Sequence, residues 1–469
     1  MASLDSIRQQ FRDRFRRSPA LNPPEMGVYH YLRQENGNKA RVHLRVEKDG
    51  FGFLLVNASR ILHLNPTAVF MAYLFLEAVP RTDAVKALTA SYQVPSEQAK
   101  QDYDEMSHQL EDLLSPDGGC PICQLELETL TPFSKEPTAP YRMDLALTYR
   151  CNNNCAHCYN ARPRTGPELT TEQWKAVIDR LWELRIPHIV FTGGEPTLRP
   201  DLPELIAYAE HKGQITGLNT NGRKLSDPAY LQQLVDAGLD HVQITLESHL
   251  PEIHDEMVQA RGAWQETVAG VRNAVASRLF VMTNTTMLQV NADTIPATLD
   301  FLAELKVPTI GLNALIYSGK GRTVNTGLDE SRLPPLLNTA RASVERHGQK
   351  LIWYTPTQYC NFDPEQLELG VKGCTAALYN MCTEPDGSVI PCQSYYSSLG
   401  NILADSWDSI WNHRLAVSLR ERHNLPEACQ GCLFLAECGG GCPLAVQAGH
   451  SRPPVAINPL QHEGLEEFL

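Results

Sequence analysis

The 469-residue chain carries a formal net charge of −13, 42% apolar residues and thirteen cysteines. That length supports two or three cored domains, and the acidic balance excludes a broad electrostatic footprint for nucleic acid or an anionic membrane. The cysteines are clustered, which points to metal ligation in a reducing compartment and away from a secreted disulfide framework. No apolar run reaches bilayer length, since Ala68–Val79 is too short and holds Glu77. Residues 1–20 lack the apolar core of a signal peptide. The expected location is therefore cytoplasmic, without a transmembrane segment.

In chain order, Leu4, Ile7, Phe11 and Phe15 line one helical face in an amphipathic segment, 1–25, suited to docking, to a partner or to a membrane surface. Val28 to Gln34 is followed by Asn36-Gly37. Val42, Leu44 and Val46 alternate before Asp49-Gly50, and Phe51, Phe53 and Leu55 alternate after it. These are three strands joined by hairpin turns. Asn65-Pro66 opens a helix with Asn as cap and Pro at its first position, and two more helices fit Thr82–Tyr92 and Ser96–Leu114. Together with the step Leu64-Asn65-Pro66-Thr67-Ala68, residues 26–116 resemble the PqqD-like RiPP recognition element, a domain that binds ribosomally made, post-translationally modified peptides. The resemblance implies that a precursor's leader is captured as an added strand on an exposed sheet edge. The residues alone also fit a winged-helix domain used for packing or for DNA, but no basic recognition helix supports DNA. In the linker, 117–140, Cys120-Pro121-Ile122-Cys123 is open to metal ligation, redox exchange or no role.

The run Cys151-Asn152-Asn153-Asn154-Cys155-Ala156-His157-Cys158 places three thiols at Cys-x3-Cys-x2-Cys spacing after an apolar strand. Three thiolates on a 4Fe–4S cluster leave one iron free for a ligand of its own; a zinc site borrowing a distant ligand is the plainer alternative. One strand–helix unit later, His188 to Thr192 runs into Gly193-Gly194-Glu195-Pro196. The two motifs resemble the radical S-adenosylmethionine (SAM) superfamily. The resemblance implies that Cys151, Cys155 and Cys158 hold the radical-generating cluster, and that Gly193, Gly194 and Glu195 receive the SAM ammonium. Apolar strands ending at Thr148, Thr192, Thr220, Leu246, Thr286 and Ala314 alternate with amphipathic helices such as Thr170 to Arg185, where Thr170 and Gln173 fit a capping box. The expected fold is α/β, a partial (β/α)6 TIM-type barrel over 141–325 with its chemistry at the carboxyl strand ends. By position, Thr245 and Glu247 match SAM-contacting residues of relatives, and Arg261 could neutralise the SAM carboxylate or simply be solvated. Asn284 and Asn291 are weaker candidates.

After a bridging region, 326–355, Cys374 is followed by Gly387 and Cys392, and Cys429, Cys432, Cys438 and Cys442 follow at Cys-x2-Cys-x5-Cys-x3-Cys spacing. Asp386-Gly387 reads as a hairpin turn delivering Cys392. Residues 356–445 resemble the cysteine-rich SPASM domain, which implies two auxiliary clusters. Cys374, Cys382, Cys392 and Cys442 would hold the first, and Cys429, Cys432 and Cys438 three corners of the second. Relatives take the last ligand from a later cysteine, and the tail, 446–469, has none. Cys360, Cys120, Cys123 or an open iron could take its place. A zinc ribbon is the alternative for such spacing. Relatives that mature sulfatases carry an acidic residue after the position of Cys392, whereas this chain has Gln393.

These resemblances imply a radical SAM peptide maturase with SAM and three 4Fe–4S clusters. It would act on a leader-bound precursor peptide with electrons from a flavodoxin or ferredoxin. An oxidative crosslink (thioether, ether or carbon–carbon) is the expected product; epimerisation would need a hydrogen donor, for which Cys360 is the candidate. The alternatives are a maturase of a small cofactor, tetrapyrrole or partner enzyme, and a non-enzymatic iron–sulfur carrier or scaffold.

Overall fold

The computed structural model describes residues 21–35, 38–56, 60–114, 137–423, 425 and 429–449. The amphipathic N-terminal segment, Cys120 and Cys123, and the tail beyond residue 449 lie outside the described residues. The chain divides into two compact units, residues 1–138 with 182–187, and the remainder.

The first unit opens with a four-stranded antiparallel sheet in the order β1-β2-β3-β4. Its strands are β1 (Gly27–Glu35), β2 (Asn38–Val46), β3 (Gly52–Val56) and β4 (Arg60–Leu64). Leu44 stands opposite Leu54, and Val42 opposite Val56. With Leu62 and Leu64, these residues make one apolar face. The core side of β3 is therefore Leu54 and Val56, while Phe53 and Leu55, the alternating pair read from sequence, lie on the opposite face and are also buried. The short β4 is a fourth strand beyond the three read from the sequence. Over the apolar face pack α1 (Pro66–Leu76), α2 (Arg81–Tyr92) and α3 (Ser96–Leu114). In α3, Ala99, Tyr103, Met106, Leu110 and Leu113 recur at helical spacing and are buried. The Asn65 side chain accepts the Ala68 N–H at 2.8 Å, and so caps α1 as the sequence indicated.

The second unit is built on one open sheet of ten strands, ordered β11-β10-β9-β8-β7-β6-β5-β12-β13-β14. Its centre is the expected set of six parallel strands: β5 (Arg142–Thr148), β6 (His188–Gly193), β7 (Ile215–Thr220), β8 (His241–Thr245), β9 (Phe280–Thr286) and β10 (Thr309–Asn313). Their carboxyl ends fall within one residue of those read from the sequence. Helices separate successive strands, beginning with α4 (Thr171–Glu183). The Thr170 N–H donates to Gln173 Oε1 at 2.9 Å, and the Gln173 N–H to Thr170 Oγ1 at 3.3 Å, which is the expected capping box.

Two additions extend the six strands. A parallel β11 (Lys350–Trp353), inside the stretch read only as a bridge, pairs with β10. On the other side, β12 (Asn380–Thr383) runs parallel to β5, and β13 (Ser388–Ile390) returns from it across the Asp386-Gly387 turn. β14 (Gly400–Asn401) completes the sheet. Among the described residues no helix is long and apolar enough to cross a membrane.

Replacing Asn65 with Ala removes the one side-chain acceptor at the start of α1, and should cost about 1 kcal/mol. Faster hydrogen exchange at the first turn of α1, restored by Asn65→Ser, is the expected result.

Candidate metal centre

Strand β5 ends at Thr148 and releases the loop that carries Cys151, Cys155 and Cys158. Neighbouring elements hold this loop through its backbone. Asn154 and Ala156 donate N–H groups to the Val258 and Met257 carbonyls, each at 2.9 Å. Arg164 donates to the Cys151 carbonyl at 3.0 Å, Arg223 to the Asn152 carbonyl at 2.7 Å, and Lys320 to the Asn154 carbonyl at 2.9 Å. Three cations thus ring a loop of thiols, a setting that favours thiolate and an anionic cluster. The Asn153 N–H points at Cys151 Sγ at 3.4 Å. Burial is the largest influence on two of the thiols and pushes Cys151 up to about 11; Cys155 is also raised, by burial and then by the thiols of Cys158 and Cys151 and the Glu247 carboxylate. Metal ligation, which removes the proton, reverses that cost.

Beside this loop, β6 ends in Gly193-Gly194-Glu195. Gly193 has φ +135°, and a Cβ on it would lie 2.1 Å from the Thr148 carbonyl oxygen. A Cβ on Gly194 would meet the Arg150 and Tyr149 carbonyl oxygens at 2.4 and 2.6 Å. The glycines are needed because two backbones touch: Gly194 N–H donates to Thr148 O at 2.7 Å and Glu195 N–H to Arg150 O at 2.8 Å. Glu195 is fully buried. Its carboxylate accepts from Thr197 Oγ1 (2.6 Å), Thr197 N (3.1 Å), Thr220 Oγ1 (2.7 Å) and Asn221 N (2.8 Å). It fastens the end of β6 to the end of β7, an internal role that the sequence did not reveal. Burial raises the Glu195 carboxyl pKa, and these hydrogen bonds oppose the rise.

Glu247, just beyond β8, is fully buried and bonds His157 Nε2 at 3.0 Å and the Thr286 N–H at 2.8 Å. His157 lies between Cys155 and Cys158, so this contact joins the cysteine loop to β8 and β9. Sequence reasoning missed His157, although its place inside the motif was a signal. Thr245 is half-buried at the end of β8. Asn291 is buried and donates to the Glu247 and Thr286 carbonyls, bracketing a turn, while Asn284 pairs with Thr245 within the sheet. Arg261 is exposed, with no side-chain hydrogen bond or ion pair among the described residues.

Of the C-terminal cysteines, Cys374, Cys392 and Cys442 neighbour one another electrostatically. Burial raises all three thiols, and backbone N–H groups oppose the rise: Ala376 at Cys374, Ser394 and Tyr395 at Cys392, and Ala445 and Leu444 at Cys442. Cys382 differs from them. It is buried on β12 in an apolar cluster with Ala146, Tyr149 and Ile390, and its thiol is raised by burial, then by the Asp144 and Glu384 carboxylates and by Cys392. Cys429, Cys432 and Cys438 form a second neighbourhood, and Cys360 joins it. Burial and then the thiols of Cys438 and Cys429 push Cys360 up to about 11. Among the described residues no three ligating side chains stand at closed metal-ligand spacing. The groups are neighbourhoods of thiols, and their backbone N–H donors suit iron–sulfur clusters, whose sulfurs accept such bonds.

Polar links join the cysteine loop to the hairpin. Arg162 pairs with both oxygens of the buried Glu384 at 2.7 and 2.8 Å, Tyr149 donates to Glu384 at 3.1 Å, and Tyr159 donates to Gln393 at 3.2 Å. A methyl group at Gly194 would force the β5 and β6 ends apart. Gly194→Ala should lower Tm by several degrees and reduce the iron that the chain retains after reconstitution. Gly166→Ala, with nothing within 4 Å of the added atom, should change neither.

Residues 145–302 match the radical SAM superfamily, and residues 374–433 match the SPASM iron–sulfur cluster-binding domain. The chain is 31% identical over 346 residues to the Fe-coproporphyrin III synthase of Methanosarcina barkeri (strain Fusaro / DSM 804), covering 67% of this chain and 85% of that relative. It is 28% identical over 339 residues to the PqqA peptide cyclase of Rhizobium meliloti (strain 1021), covering 69% and 88%. Among solved structures, Streptococcus suis SuiB bound to its precursor peptide SuiA shares the fold with a TM-score of 0.65 and 14% identity, over 91% of this chain and 98% of that one. With the cysteine loop, the glycine contact and the second set of thiols in place, the chain belongs to the radical SAM superfamily of enzymes and carries a SPASM iron–sulfur domain.

Proposed function

We propose that this enzyme modifies a ribosomally made precursor peptide, held through its leader by the N-terminal unit, and forms an oxidative crosslink. The observation that carries the reading is the four-stranded antiparallel sheet added ahead of the radical SAM fold. Among the described residues, strands β1 and β4 each pair with one neighbouring strand, and an edge strand offers main-chain donors and acceptors to an added strand. Support comes from the likeness to a peptide cyclase and from the fold shared with a precursor-bound enzyme. That shared fold covers 91% of this chain, and the uncovered part is smaller than the N-terminal unit.

In this reading Cys151, Cys155 and Cys158 hold a 4Fe–4S cluster with one open iron, beside Gly193–Glu195. Such a cluster, when bound, would supply the electron for reductive cleavage of SAM and so the oxidising radical chemistry that hydrogen removal from an unactivated carbon of the peptide needs. The protein's part is to position, with Glu195 and Glu247 tying the strand ends beneath the loop. Thr245 stands at the rim to contact SAM, and the exposed Arg261 is free to reach its carboxylate. The SPASM thiols, Cys374, Cys382, Cys392 and Cys442 with Cys429, Cys432 and Cys438, would hold two further clusters that accept the surplus electron. A flavodoxin or ferredoxin in a reducing cytoplasm would feed the first cluster.

A second reading, action on a tetrapyrrole or other small cofactor, is favoured by the relationship to the Fe-coproporphyrin III synthase. A chain lacking residues 1–116 separates the two. It should still cleave SAM without substrate, but bind a fluorescent leader from a precursor encoded beside the gene at least about tenfold more weakly, a loss of about 1.4 kcal/mol. A proline in the pairing segment of the leader should weaken binding similarly, because it removes a ladder donor. Undiminished binding by the truncated chain, read by fluorescence anisotropy, would discard leader recognition in favour of the tetrapyrrole reading.

A further inference from the structure

Eleven cysteines lie among the described residues. Ten are taken by the three sets above, and Cys360 is left over. Its position is not arbitrary. Residues 357–361 form a turn after β11 that is fastened, residue by residue, to the loop carrying Cys438. The Tyr359 N–H donates to Cys438 Sγ at 3.4 Å, and the Cys438 thiol faces the Thr357 carbonyl at 3.6 Å. Gln358 donates to the Gly440 carbonyl at 3.1 Å. The approach is close enough that a Cβ on Gly441 would lie 2.6 Å from Gln358 Cγ. Trp353 Nε1 donates to Thr357 Oγ1 at 2.9 Å and so anchors the turn from the strand side. Cys360, directly after the residue that bonds Cys438 Sγ, lies within electrostatic reach of both Cys438 and Cys429.

We infer that Cys360 supplies the fourth thiolate of the cluster whose other ligands are Cys429, Cys432 and Cys438. The inference rests on the reading of those three residues as cluster ligands. On ligation the Cys360 thiol gives its proton to solvent and forms one iron–sulfur bond, with no change of oxidation state. The last corner, which relatives fill from downstream, is here filled from 69 residues upstream of Cys429. A ligating Cys360 is also withdrawn from service as a hydrogen donor. That removes the candidate hydrogen donor named for epimerisation.

Differential alkylation of the anaerobic, iron-loaded full-length enzyme tests this, with every cysteine mapped by mass spectrometry before and after chelation. Cys360 should be protected together with Cys429, Cys432 and Cys438, and all four should become reactive when iron is removed. Alkylation of Cys360 while the other three stay protected would overturn the inference alone, and would be accompanied by protection of Cys120 or Cys123 if either is the true ligand. Reactivity of all four in the loaded enzyme would overturn the cluster reading beneath it as well. As an independent measure, Cys360→Ala should yield the EPR signal of an oxidised three-iron cluster after mild oxidation, with about one iron lost per chain. An unchanged EPR spectrum and unchanged iron content would refute the assignment.

Discussion

The second unit depends on a contact between two backbones, where the end of β6 lies against the end of β5. Side chains are excluded there, because a Cβ on Gly193 or Gly194 would fall between 2.1 and 2.6 Å from carbonyl oxygens of Thr148, Tyr149 and Arg150. Glycine is the residue that lets two chains approach in this way. From this contact a circuit of buried bonds follows. Glu195 ties β6 to β7 through Thr220 and Asn221; beyond β7, Arg223 reaches back to the Asn152 carbonyl; and Glu247 beyond β8 grips His157. The cysteine loop is therefore held by three successive strand ends, which is what fixes three thiols at one mouth. Four donors on one buried carboxylate also explain why Glu195 is tolerated in the interior, since the ionised form is hydrogen-bonded on both oxygens.

The same strand carries the second chemistry. β5 has β6 on one side and β12 on the other, so the cysteine loop and the hairpin leading to Cys392 share one sheet. Burying a carboxylate costs free energy unless its hydrogen bonds are satisfied. The Arg162–Glu384 contact meets that condition with two parallel bonds and the Tyr149 hydroxyl. Tyr159 adds a bond to Gln393, directly after Cys392. These links couple the position of one set of thiols to the other.

Much of this was legible in the sequence because it depends on local rules. Strand ends, the Thr170–Gln173 capping box, the Asn65 cap and the Asp386-Gly387 hairpin all follow from short-range patterns. What escaped was non-local. β4 is five residues long and abuts a helix cap, and β11 gains its identity only by pairing with β10. The cations around the cysteine loop come from positions 164, 223 and 320, which no spacing rule connects. Glu195 reads as a ligand-facing carboxylate from its motif, yet the donors from Thr220 and Asn221 are visible only once β7 is in place. Cys382 is placed with the cysteine ligands by resemblance, but it sits on β12 opposite the buried Asp144 and in an apolar cluster with Ala146, Tyr149 and Ile390. Cys360 belongs to no motif, and only the turn against Cys438 brings it near other thiols.

The central claim is that the thiols of Cys151, Cys155 and Cys158 support radical generation from SAM. It is tested most directly by quantifying 5′-deoxyadenosine from the anaerobic, iron-loaded and chemically reduced enzyme. The wild-type chain should form it, and the variant with all three cysteines replaced by Ala should form none while retaining the iron bound by the SPASM thiols. Undiminished 5′-deoxyadenosine from the triple variant would contradict the account.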